Sequence, residues 1–387
     1  MNSIVLTAEE TKALEDRYQL ATYAKLPIVV DRGRGCYVWD ADGRQYLDMY
    51  GGHCVTSTGH SHPKVVEAIA RQAASLIFYS NATYNTVRAK AVERLLHLCT
   101  PFAQVFLVNS GAEANENAIK LARAVTGRRE VLSTAGAFHG RTYGALSATG
   151  IEQYRRYLNP AVPDHRILEA EKIPETVSAQ TAAVLIEPIQ SMGGVVVLDP
   201  GLLGEIESAC SRHGALLIFD EIQTGVGRTG RFLYSQRIGV TPSMTSLAKG
   251  IASGFPVGAL LVTEDLAKKV KKGDLGSTFG GSPLACAAML ATLEVYEAER
   301  LGDNAARIGE LLRRRLGEQP GVRQVRGEGL LLGLAFEGRT AKEVQAHLFQ
   351  RGVLAGTSND PDILRLMPAL TMDVPEVDRF LDALEGL

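Results

Sequence analysis

Three ionisable residues stand where an ordinary core would have none. Asp220 and Glu221 close the apolar run 215–219 (ALLIF), and Lys249 lies within SLAKGIASGFPVG (246–258), between Ala248 and Gly250. A carboxylate at the end of a buried strand is costly unless a positive group meets it. Burial lowers the pKa of a lysine and makes it an amine nucleophile, whereas a lone lysine without such a task snorkels outward. Segment 109–125 (NSGAEANENAIKLARAV) adds a Ser-Gly-Ala turn before a helix, with Ser110 and Glu113 at capping-box spacing. A helix start of this kind offers free backbone N–H groups to a phosphate, although alone it reads most simply as an N-cap. No GK[ST] follows, so it is not a Walker loop. GAFHGRTY (136–143) brings an aromatic ring, an imidazole and a guanidinium between glycines, and LGSTFGGSP (275–283) brings hydroxyls. Each of these, too, could be plain turn chemistry.

Their combination is more specific. A phosphate cradle, an acid at a strand end, a lysine in apolar surroundings, an aromatic plate and an arginine are the parts that pyridoxal phosphate requires. Asp220 then meets the protonated pyridine nitrogen and keeps the ring an electron sink.

The elements that must position these residues follow from the apolar pattern. Short runs at 105–109, 130–133, 183–186, 215–219 and 257–262 alternate with helical stretches such as 111–126 and 201–213. That alternation predicts an α/β fold with a mostly parallel sheet covered on both faces, ligands sitting beyond the carboxyl ends of its strands. At the N-terminus, RGRGCYVWDADGRQYLDMYGG reads as a hairpin turning at ADG. After about residue 285 the pattern turns helical, then strand, helix, strand and helix. The expected organisation is a large cofactor-binding domain over 51–289 and a small α+β domain made of 1–50 with 290–387.

Composition narrows the function classes. A net charge of −2 gives no electrostatic case for nucleic acid or an anionic membrane, and no apolar run approaches membrane-spanning length. Five scattered cysteines without a CxxC suit free thiols in a cytoplasm, and the acidic start MNSIVLTAEETKALEDRY is unlike a secretory signal. His60 and His62 form an HxH, but no third ligand at credible spacing accompanies them, so no metal is expected.

The motifs NSGAEANENAIKLAR, FHGRTYGALSATG, LIEPIQ, IFDEIQTGVGRTG, SLAKGIASGFPVGA, GSTFGGSPLAC and LRLMPAL, in this order, resemble the class III pyridoxal-phosphate aminotransferases of fold type I. Among these the chain is most similar to the acetylornithine and ornithine aminotransferase branch. The resemblance implies that Lys249 bonds the cofactor and moves the proton, that Asp220 holds the ring nitrogen and that Gln223 lies near the phenolic oxygen. Phe138 would stack on the ring, and Ser110, Gly111 and Ala112 would hold the phosphate. Thr278 would reach the phosphate of a neighbouring subunit, making the active site the product of a homodimer. Arg141 would bind a carboxylate remote from the reacting amine, Arg365 an α-carboxylate, and Glu187 would lie near the cofactor face and the substrate arginine. His53 takes a pocket position that is tyrosine in ornithine aminotransferases.

The chain departs from this branch at EPIQSMGG. Where the family has glycine and then a glutamate that pairs with the second arginine, this chain has Ser191 and Met192. An uncompensated Arg365 favours donors with a carboxylate beside the amine, or small keto acids such as pyruvate or glyoxylate. The expected function is nonetheless transfer of an amino group from an ω-amino compound such as N-acetylornithine to a keto acid such as 2-oxoglutarate, a reaction of arginine biosynthesis. An aminomutase or an amino-acid racemase would use the same cofactor residues.

Overall fold

The computed structural model describes residues 6–387. The first five residues of the acidic start lie outside the described residues, and the rest of it forms a helix, Ala8–Tyr18, with a capping box at Thr7 and no buried side chain.

The centre is a seven-stranded sheet. Its strands in chain order are β1 (Gln104–Val108), β2 (Glu130–Thr134), β3 (His165–Leu168), β4 (Thr181–Ile186), β5 (Leu216–Asp220), β6 (Met244–Leu247) and β7 (Gly258–Val262), in the spatial order β1-β7-β6-β5-β4-β2-β3. All pairings are parallel except those of β7, which runs antiparallel to both β1 and β6. The exception has a local cause. The connection 248–257 contains only a 3-10 turn, Lys249–Ala252, and a parallel return needs a crossover about a dozen residues long.

Alternate residues of the middle strands enter different cores. Val131, Ala183, Leu185 and Ile218 pack with Ala118, Ile119, Leu121 and Ala122 of the helix Gly111–Thr126. Leu132, Val184, Ile186, Leu217 and Phe219 pack on the other face with Leu203, Ile206 and Ala209 of the helix Pro200–His213. A strand buried on both faces needs apolar residues at every position, which is why ALLIF shows no alternation. Two strands escaped the sequence reading. β3 is the edge strand HRIL, where no residue is fully buried, and β6 (MTSL) buries Thr245 and Ser246 among its apolar positions.

The two ends of the chain meet. Tyr37–Asp40 and Gln45–Asp48 form the expected hairpin, and Val353–Leu354 joins it in parallel with Val353 opposite Leu47. A second sheet runs Val322–Glu328, Leu331–Phe336, Leu364–Leu366, Gly356–Thr357. One core cluster draws Cys36, Leu47 and Met49 together with residues from Val295 to Leu384. Among the described residues, no helix is long and apolar enough to cross a membrane.

Candidate active site

Strands β1, β2, β4, β5 and β6 all run in one direction, so the residues that follow them share one edge of the sheet. Asp220 ends β5, Lys249 comes two residues after β6, Ser110 two after β1, Glu187 directly after β4, and Phe138 in the loop after β2. Crevices at this edge are where doubly wound sheets bind ligands. Ser110, Gly111, Ala112, Phe138, Arg141, Glu187, Asp220, Gln223 and Lys249 line a single cavity there of about 390 Å³.

The two acids that end β5 have separate surroundings. Asp220 Oδ2 accepts from Asn115 Nδ2 at 2.7 Å and pairs with His139 Nδ1 at 2.9 Å, while Oδ1 accepts from the Ile222 N–H at 3.1 Å. Asn115 is fixed in turn, through the His139 carbonyl at 2.7 Å and the Ser246 hydroxyl. Glu221 points away from this network. It accepts from the N–H groups of Tyr234 and Ser235, the first residues of the helix Tyr234–Ile238, and from the Thr224 hydroxyl at 3.4 Å. Burial pushes its pKa up, and the helix-capping bonds offset part of that rise.

Lys249 has a positive φ of 49°, a conformation in which a non-glycine residue is strained. Desolvation pulls its pKa down, against the opposing pulls of Cys54, Asp220 and Glu187. Glu187 is 3% exposed and accepts from the Phe138 N–H at 2.6 Å. Burial, and then the charge of Asp220, push its pKa up to about 8.

The residues present fit pyridoxal phosphate. Ser110 caps the helix Gly111–Thr126 through Glu113 N at 3.2 Å, and the N–H groups of its first turn have no acceptor within the helix. The capping box is only half formed, because the Glu113 carboxylate reaches back to Asn109 N at 2.9 Å rather than to Ser110. At Gly111 a Cβ would meet Ile222 Cδ1 at 2.4 Å, so a larger residue there would displace the Ile222 side chain. The side-chain oxygen of Gln223 is buried without a partner in the cavity wall, as expected for a group awaiting a polar ligand.

Four expected site residues do not line the cavity. Thr278 is exposed on a loop that Asn81 Nδ2 holds through the carbonyls of Ser277 (3.2 Å) and Gly280 (2.9 Å). His53 is exposed, and its Nδ1 contacts the Tyr50 hydroxyl. Arg365 is 1% exposed, and its three hydrogen-bond acceptors are all neutral: the Thr357 carbonyl (2.8 Å), Ser191 Oγ (3.1 Å) and the Tyr50 hydroxyl (3.4 Å). Met192 is half-buried and bonds Asn359 through its backbone, so the residue of EPIQSMGG that touches Arg365 is Ser191. Arg141 is exposed, stacked over Tyr154 at 4.2 Å and over Phe138 at 5.9 Å. Among the described residues, no acid pairs with either arginine. His60 and His62 are spent on Asp48 (2.8 Å) and Glu299 (3.1 Å).

The sequence reading overlooked Asn115 and Tyr50, and noted the imidazole of His139 without linking it to Asp220. Asn115 had a signal, as a polar residue on the apolar face of its helix; Tyr50 had none.

Comparison with known proteins agrees with this geometry. The sequence model of the family described as "Aminotransferase class-III" matches residues 18–387. The acetylornithine aminotransferase of Methanothermobacter thermautotrophicus is 39% identical over 98% of this chain and 98% of its own length. That of Streptomyces coelicolor is 44% identical over 94% of this chain and 91% of its own. The solved ornithine aminotransferase of Toxoplasma gondii superposes with a TM-score of 0.91 at 32% identity, covering 98% of this chain and 94% of that one. The chain belongs to the class III aminotransferases, enzymes that depend on pyridoxal phosphate.

Proposed function

We propose that this enzyme moves the terminal amine of N-acetylornithine, or of a similar ω-amino compound with a remote carboxylate, to 2-oxoglutarate. One observation carries the reading: two arginines without acid partners, Arg141 lining the cavity and Arg365 buried close enough to be felt by Lys249, give the site two receptors for carboxylates. The similarity to two proteins named acetylornithine aminotransferase supports it.

Pyridoxal phosphate, when bound, supplies an electron sink for the carbon that carries the substrate amine. The chain's own residues divide the remaining work. Lys249, its pKa pulled down by burial, would offer the nitrogen that bonds the cofactor and would later carry the proton. Asp220, aimed by Asn115 and His139, would hold the ring nitrogen, Gln223 the phenolic oxygen, and Phe138 would pack on the ring. Ser110, Gly111 and Ala112 would hold the phosphate at the helix N-terminus. Glu187, whose pKa burial and the charge of Asp220 push up, favours its neutral form beside Asp220, and Arg141 takes the remote carboxylate. Arg365 takes the α-carboxylate of glutamate, with His53 and Met192 as pocket walls.

The same reading makes the enzyme a homodimer in which Thr278 of one copy completes the phosphate site of the other. The exposed loop around Thr278 supports this, with Phe279 60% and Tyr79 56% exposed beside it. Residues 51–289 would form the cofactor-binding unit, and 1–50 with 290–387 the second unit. Five buried free thiols fit a cytoplasmic location.

The test is a half-reaction. Cofactor-loaded protein is mixed singly with N-acetylornithine, ornithine, glutamate, β-alanine and alanine, without acceptor, and the absorbance of bound cofactor is followed. Loss of the band with N-acetylornithine and glutamate supports the reading. Loss with alanine or β-alanine and not with N-acetylornithine overturns it, in favour of a pyruvate- or glyoxylate-linked enzyme, which the acid-free Arg365 would also serve.

A further inference from the structure

Arg365 has an incomplete set of partners. A guanidinium has five N–H donors, and three of them are used here, on a carbonyl and two hydroxyls. The residue is 1% exposed, so its charge is compensated neither by water nor, among the described residues, by an acid. Removing a charge from water without a paired counter-charge is strongly unfavourable, and among the described residues no carboxylate lies within ion-pair distance of this guanidinium. A substrate with a carboxylate on the amine-bearing carbon completes the set. An ω-amine brings no carboxylate to this end, because its own lies at Arg141. During that half of the reaction the guanidinium stays bare.

We propose that Arg365, Ser191 and Tyr50 form a subsite for a small monovalent anion, of the size of acetate or chloride, which is filled while an ω-amine reacts and emptied by an α-carboxylate. This rests on the reading of Arg365 as the α-carboxylate receptor. The anion accepts from the two free N–H groups, beside the Tyr50 hydroxyl that contacts both Arg365 and His53. The two half-reactions must then respond to the anion with opposite sign.

The experiment uses the holoenzyme at constant ionic strength, set with a bulky sulfonate salt, and acetate as the probe. Acetate should speed the N-acetylornithine half-reaction about fivefold and inhibit the glutamate half-reaction competitively. Calorimetric titration of acetate without any amine should show one site. Ser191→Asp places a carboxylate where Ser191 Oγ now meets Arg365, and should abolish both the calorimetric site and the acceleration. Met192→Glu, on the neighbouring residue, is the second variant should Ser191→Asp not fold. Acetate that inhibits both half-reactions alike, or binding that survives in these variants, would place the anion at Arg141 and overturn the subsite. If N-acetylornithine fails as a donor but the calorimetric site exists and is lost in Ser191→Asp, the substrate assignment falls and the subsite stands.

Discussion

The floor of the cavity and its arginine side treat charge in opposite ways. On the floor, each acid has its partners within the chain: Asp220 has Asn115, His139 and the Ile222 N–H, and Glu221 has the start of a helix. On the arginine side, Arg141 lies over aromatic rings and Arg365 has only neutral acceptors. The floor is organised before any ligand arrives, whereas the arginines are left incomplete for ligands to finish. Catalytic charge must be held in one geometry, because hydrogen bonds that reorganise during reaction lose their advantage. Charge used for recognition must stay available, since its anion arrives with one substrate and leaves with the next.

The contrast can be broken at several points. Lys249→Ala should lower kcat by about 10⁴-fold or more while the fold persists, measured by turnover and circular dichroism together; turnover near the parent's would remove Lys249 from the chemistry. Asp220→Ala should lower kcat by roughly 10²–10³-fold with cofactor still bound, and His139→Phe by about tenfold, because His139 acts only by aiming the carboxylate. Equal losses in the two variants would mean that His139 does more than position Asp220. On the other side, Arg141→Ala should raise KM for a donor with a remote carboxylate by roughly 10–100-fold, and change KM for alanine little.

Glu221 sharpens the comparison within the floor itself. Glu221→Ala should cost about 1–3 kcal/mol of stability through the uncapped helix, and leave kcat of the folded enzyme within about twofold. A large fall in kcat would show that the neighbours Asp220 and Glu221 share one task. A pH dependence belongs to Glu187. Its folded pKa is raised from 4.5 to about 8, so the stability of its neutral form is fully present below about 4.5 and is lost as pH rises through about 8. The melting temperature of cofactor-free protein should fall across that window, and Glu187→Gln should flatten the slope.

The same division governs what could be read in advance. Floor residues announce themselves by being out of place: an acid ending ALLIF, a lysine after SLA, a serine and glycine ahead of an amphipathic helix. Their positions follow from strand and helix periodicity, which is local. The partners of those residues lie far away in sequence, and no period links Asn115 or His139 to Asp220. The missed strands fail for a related reason, since β6 carries buried Thr245 and Ser246 whose side chains answer to neighbouring elements rather than to the apolar pattern.

The sequence by itself therefore determined the α/β class, the succession of strands and helices, and the set of residue types able to hold pyridoxal phosphate, because each depends on the order of apolar and polar residues along the chain. Only the tertiary structure decided that Asn115 and His139 hold Asp220, and that Ser191 and Tyr50 rather than an acid meet Arg365. Those are contacts between distant segments, fixed by how the layers pack and by the requirement that buried polar groups find partners.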